Sequence, residues 1–210
     1  MRIIDKNTFF TSLLILSISA SGCSSFGWLK FWGDEEEEEE EPTELFEIIQ
    51  EYSISTIWSK RIKGDNSFGR IKPIISNEMA FLISGSGEIN AFSLDRGKKI
   101  WSRKTGDQVS GGLGGGFKRL FYGTLDGELV SINLTSGEEI WRSNCSSEIL
   151  ASPVTDGEVV VTQTNDGMIS GFGFKSGNSL WNHQASIPRL SLRGTSIPIF
   201  SQGFLFAGFA

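Results

Sequence analysis

Apolar and polar positions fall into short runs along most of this chain, each cut off by glycine, and the runs repeat. Three segments superimpose without a gap: GEINAFSLDRGKKIW from Gly87 to Trp101, GELVSINLTSGEEIW from Gly127 to Trp141, and GMISGFGFKSGNSLW from Gly167 to Trp181. The internal glycines Gly97, Gly137 and Gly177 and the closing tryptophans Trp101, Trp141 and Trp181 recur at an interval of forty residues. A period of this length marks a solenoid, an array or a propeller.

The third copy shows how each unit divides. Residues 150–155, 158–164, 168–174 and 179–184 read as strands, separated by Asp156-Gly157, Asn165-Asp166-Gly167 and Lys175-Ser176-Gly177-Asn178. Such clusters form hairpin turns because glycine accepts the positive φ those turns require. Four antiparallel strands in forty residues make a propeller blade, so the expected class is all-β, a β-propeller of four-stranded antiparallel blades. A helical repeat fits poorly, because glycine recurs inside each unit and the runs favour β-branched and aromatic residues.

The expected blades span about 69–104, 109–145 and 149–184, with a fourth beginning at 195–210. Trp58 stands where a closing Trp falls but has no full unit before it. Residues 54–61 are therefore expected to form the outer strand of a last blade, joining the two ends of the ring. Rings need at least four blades, and about three and a half are present, so the sequence reads as part of a longer protein. The recurring Trp resembles the docking residue of quinoprotein-type propellers, its ring packing on the next blade's turn glycine; the Trp-Asp dipeptide of the WD type is missing.

Composition agrees with short strands and tight turns: 25 Gly, 16 Phe and 6 Trp in 210 residues. The formal charge of −6 is local, since Asp34 and the seven glutamates 35–41 supply −8 and leave the remainder at +2. No nucleic-acid partner is implied. The acid run, with Phe26, Trp28, Phe31 and Trp32 before it, reads as an extended tether.

Arg2 and Lys6 precede an apolar stretch, 9–20, that is short for a permanent span and fits a secretory signal. It ends Ala20-Ser21-Gly22-Cys23, which resembles the bacterial lipobox, with Ala20 where Leu is usual. An ordinary secretory signal with a chance cysteine also fits these residues. The lipobox reading makes 1–22 a signal peptide, Cys23 a palmitate-bearing lipidated residue, 23–52 a tether and 53–210 the propeller. Ser24 follows the cysteine, and by resemblance to Gram-negative lipoproteins the absence of Asp there favours export to the outer membrane, leaving the folded part on its periplasmic face.

Catalytic chemistry has little footing. In SGGLGGGFKRL, residues 110–120, Phe117 separates Gly116 from Lys118, which defeats a phosphate-loop reading. Small residues there suit the tightly packed innermost strand of a blade. His183 is the only histidine and Cys145 the only cysteine besides Cys23, so no metal, cofactor or catalytic triad is expected.

The period breaks once. Pro153 follows Trp141 by twelve residues, but Pro198 follows Trp181 by seventeen, so about five residues are added in SIPRLSLRGTS, 186–196. Loops that interrupt a repeat tend to hold its function. Leu190, Leu192 and Arg193 in this loop fit a binding patch of apolar anchors beside a planar donor. They equally fit leucines folded under the loop with Arg193 capping carbonyls.

Lipobox, docking repeats and the segment LSLRGTSIP together resemble the BamB family of outer-membrane lipoproteins. That resemblance implies an eight-bladed propeller without enzyme activity, a scaffold of the outer-membrane β-barrel assembly (Bam) complex that assists folding and insertion of barrel proteins. It implies that Leu190, Leu192 and Arg193 contact the POTRA domains of BamA, and its open sheet edges suggest guidance of nascent outer membrane proteins by β-augmentation. The competing expectation is a pyrroloquinoline-quinone dehydrogenase, which shares the docking repeat but often carries a vicinal cysteine pair that this sequence lacks.

Overall fold

A computed structural model describes residues 52–62, 71–186, 193–194 and 196–209. Cys23, the acid run, Leu190 and Leu192 lie outside the described residues. The chain divides into two units, 1–53 and 54–210, and of the first only Tyr52 and Ser53 are described.

The second unit is all-β among the described residues. Its first sheet has strands β1 (Ile74–Ser76), β2 (Met79–Ile83), β3 (Glu88–Ser93) and β4 (Lys99–Lys104). The second has β5 (Val109–Gly116), β6 (Arg119–Thr124), β7 (Glu128–Asn133) and β8 (Glu139–Asn144). The third has β9 (Val154–Thr155), β10 (Val159–Gln163), β11 (Met168–Gly173) and β12 (Ser179–Gln184). A hairpin of β13 (Ile199–Ser201) and β14 (Phe204–Phe206) follows. In every sheet the strands lie side by side in chain order and antiparallel, which is the topology of propeller blades.

The second blade owes its burial to neighbours on both faces. Along β6, Leu120 and Tyr122 pack with Phe81, Ile83 and Ile89 of the first blade, while Phe121 between them packs with Val160, Phe172 and Phe174 of the third. Successive strand residues point to opposite faces, so a sheet packed on both sides needs apolar residues at consecutive positions. Burying each such side chain contributes roughly 1.5–3 kcal/mol. The run Leu120-Phe121-Tyr122 therefore stays apolar where a half-exposed strand would alternate.

The glycine-rich β5 is the place of closest approach. A Cβ on Gly111 would lie 2.8 Å from the Ala151 carbonyl oxygen, and one on Gly114 would collide with the carbonyl of Pro153. Ser110 Oγ also donates to the Ile149 carbonyl at 2.7 Å. Residues 149–153 are thereby drawn onto β5, and only Val154–Thr155 of the expected strand 150–155 pairs with β10, apart from an isolated bridge between Ile149 and Thr164. Proline at 153, lacking an N–H, adds no ladder bond there.

Residues 54–61 form no strand among the described residues, although Trp58 is seated in the first blade as described below. Residues 63–70, at the expected start of that blade, lie outside the described set.

Candidate functional site

All three outer strands carry an irregularity at the same register. Trp101 pairs with Ala91, Trp141 with Ser131 and Trp181 with Gly171, and the next pair inward skips one residue: Ile100, Ile140 and Leu180 respectively. A bulge of this kind bends the strand and re-aims the side chain next to it. The skipped aliphatic is left outside, half exposed in each blade. Small residues opposite each indole leave room for the ring to lean over the sheet.

Three indoles reach the following blade. Trp101 Nε1 donates to the Leu134 carbonyl at 3.2 Å, and Trp141 Nε1 to the Phe174 carbonyl at 3.0 Å. Their rings lie against Gly137 and Gly177, where a Cβ would come within 2.8 and 2.7 Å of ring carbons. Trp58 makes the same pair of contacts, with Nε1 on the Leu94 carbonyl at 2.7 Å and the ring against Gly97. Trp181 differs: it is 39% exposed and rests on Gly171 of its own sheet.

A further clasp joins the second and third blades around Phe174. The Arg119 guanidinium lies 4.3 Å from the centre of its ring and donates to its carbonyl. Phe117 meets the same ring edge-on at 6.1 Å and lies against Gly157, held by a turn in which Phe117 and Lys118 both have positive φ. A non-glycine residue in that region is strained, and the aromatic contacts offset the strain.

Polar groups gather at two places. In the second blade Arg142 is paired with Asp107 at 3.1 Å, Glu128 at 2.5 Å and Glu139 at 2.9 Å, and the Tyr122 hydroxyl donates to Asp107 at 2.6 Å. Burial pushes the Asp107 carboxyl up, but hydrogen bonds from Arg142 and Tyr122 and the Arg142 charge outweigh it and hold the group below its ordinary value. Burial and the hydrogen bond to Asp107 push the tyrosine up. The Arg142 guanidinium donates from all three of its nitrogens to these carboxylates, which suits a brace for the connection 105–108 between the first two blades.

The second place is the irregular loop. Arg193 is described there, and its guanidinium makes a two-point bond to Glu148, Nε to Oε1 at 3.0 Å and Nη2 to Oε2 at 2.6 Å. Among the described residues Arg193 pairs with a carboxylate from the connection between β8 and β9. Nothing in the sequence marked Glu148, a single acid in a linker, because the pairing crosses a whole blade.

Other residues offer little reactivity. Burial and the charge of Asp166 push the Cys145 thiol up to about 12, while His183 lies exposed on β12. No group of three or more His, Cys, Asp or Glu could hold a metal among the described residues. The glycine-rich β5 is bonded to β6 as a ladder strand.

A sequence profile of the family described as "Outer membrane protein assembly factor BamB" matches residues 85–210, more than half of the chain. The chain belongs to the BamB family. Among curated BamB proteins, that of Xanthomonas campestris pv. campestris is 28% identical over 140 residues, 60% of this chain and 34% of its own length. That of Pseudomonas aeruginosa is 30% identical over 117 residues, 54% of this chain and 28% of its own. The chain thus spans about a third of the BamB relatives it matches. The crystal structure of BamB from Moraxella catarrhalis superimposes with a TM-score of 0.60 at 24% identity, covering 63% of this chain and 40% of that one, which shows the shared propeller fold.

Proposed function

We propose that this protein is a non-enzymatic scaffold of the outer-membrane β-barrel assembly complex, held at the periplasmic face of the outer membrane by a lipid on Cys23. Its irregular loop docks on the POTRA domains of BamA through Leu190, Leu192 and Arg193, and the propeller assists folding and insertion of barrel proteins. Membership of the BamB family supports the assembly role, since the relatives carry the name of outer membrane protein assembly factor. The observation that carries the docking assignment is the state of Arg193. Its side chain is 49% exposed, on the one connection that breaks the repeat, and is oriented by an ion pair.

Such an arrangement suits recognition. An arginine beside apolar anchors supplies geometric selectivity through its planar donors, while the leucines supply buried area. The test is recovery of BamA with the full-length protein, compared with Leu192→Ala and Arg193→Ala. Reduced recovery from both variants is expected, and equal recovery from all three proteins rejects the site. Labelling with radioactive palmitate is expected to disappear in Cys23→Ala; label that persists rejects the anchor.

A further inference from the structure

Glu148 and Arg193 are 45 residues apart in the chain and belong to successive inter-blade connections, so their bond spans the third blade. Glu148 is the fixed member. Its carbonyl accepts from the Asn165 N–H at 3.0 Å in the third blade, and the next residue, Ile149, donates its N–H to the Thr124 carbonyl at 3.2 Å in the second. Ile149 is fully buried. The backbone beneath the carboxylate is thereby tied to two blades, and only the side-chain torsions remain to place it.

The guanidinium is used only in part. It carries five N–H groups in one plane. The two bonds to Glu148 consume one on Nε and one on Nη2. Both protons of Nη1 and the second of Nη2 have no partner among the described residues, and one proton from each of these nitrogens forms the end-on edge of the group, which is spaced to receive a second carboxylate. The Arg193 side chain is 49% exposed against 20% for Glu148, so the arginine is open to a partner while the glutamate is largely shielded.

From this geometry we infer that Glu148 is a positioning residue for docking: it clamps Arg193 side-on and leaves the end-on edge preset for a carboxylate on the POTRA surface. The inference rests on the assignment of Arg193 to that interface. A free arginine loses much rotamer freedom when it docks, and a clamp already present in the unbound protein removes part of that loss. Charge alone acts in the opposite sense, since Glu148 offsets the Arg193 charge and repels an incoming carboxylate. Positioning and simple attraction therefore predict opposite signs when the Glu148 charge is removed.

The experiment is titration of detergent-solubilised BamA with the full chain, as wild type, Glu148→Gln, Glu148→Asp, Arg193→Ala and the double variant Glu148→Gln/Arg193→Ala. Glu148→Gln keeps the volume and one acceptor, and thermal melting of each variant reports its fold. Arg193→Ala is expected to weaken binding, and Glu148→Gln to weaken it by about two- to tenfold, the range set by freeing one long side chain. Glu148→Asp keeps the charge but shortens the reach, and is expected to weaken binding as well. The change to Gln at 148 should not matter once Arg193 is gone.

If Glu148→Gln leaves affinity unchanged or raises it while Arg193→Ala lowers it, the positioning role is refuted and the docking assignment stands. If Arg193→Ala has no effect, the assignment of Arg193 fails and the role of Glu148 goes with it. An equal loss from Glu148→Gln with and without Arg193 also overturns the inference, because Glu148 then acts by itself.

Discussion

Replacing Gly137 by alanine tests whether an indole seated on a turn glycine is what joins one blade to the next. Gly137 has φ of +71° and lies under Trp101, where a new Cβ would stand 2.8, 2.9 and 3.1 Å from three ring carbons. The left-handed backbone costs a non-glycine residue roughly 1–2 kcal/mol. The ring must also lift, which lengthens the bond from Nε1 to the Leu134 carbonyl, at 3.2 Å already a long one, and a hydrogen bond of this kind contributes about 0.5–1.5 kcal/mol. Together the change destabilises the protein by about 1.5–3.5 kcal/mol.

Gly106 provides the control. Its φ of +84° carries the same backbone strain, but a Cβ there would meet nothing within 4 Å. Gly106→Ala is therefore expected to cost only the strain itself, about 1–2 kcal/mol. Urea unfolding of the full-length protein, followed by tryptophan fluorescence, compares the two midpoints. Equal losses from Gly106→Ala and Gly137→Ala would refute the docking account, since the indole would then contribute nothing beyond the turn itself.

Two further outcomes follow from groups already described. The Asp107 carboxyl is held below its ordinary value of 3.8, so its ionisation stabilises the fold above that pH, and the contribution is lost as pH falls through the lower, folded value. Asp107→Asn should be less stable than wild type at pH 7, with the gap closing in urea titrations taken below about pH 4; a gap that stays constant with pH contradicts the ion-pair account. Cys145, pushed up to about 12 mainly by burial, should not react with a chromogenic disulfide reagent at pH 8 in a folded Cys23→Ser variant and should react fully in guanidinium. Rapid labelling of the folded protein would show that the thiol is not enclosed.

The repeat, the turn glycines and the closing tryptophans were legible in the chain because each is a local or periodic requirement: a hairpin needs positive φ at a set place, and identical units need identical contacts. The BamB likeness was legible for the same reason, resting on repeated motifs and on one loop that breaks their spacing. Leu190, Leu192 and Arg193 drew notice as departures from a period, without any knowledge of what surrounds them.

Only the tertiary structure decided the rest. The bulge beside Trp101, Trp141 and Trp181 depends on strand register, which a linear reading does not fix. The shortened β9 reflects competition between pairing with β10 and contact with the glycines of β5, residues distant in the chain. Glu148 became visible as the partner of Arg193 because folding stacks successive blade connections at one rim. Sequence specifies what each repeat must be, since that is written in neighbouring residues; which lone charges meet is set by the packing of blade on blade.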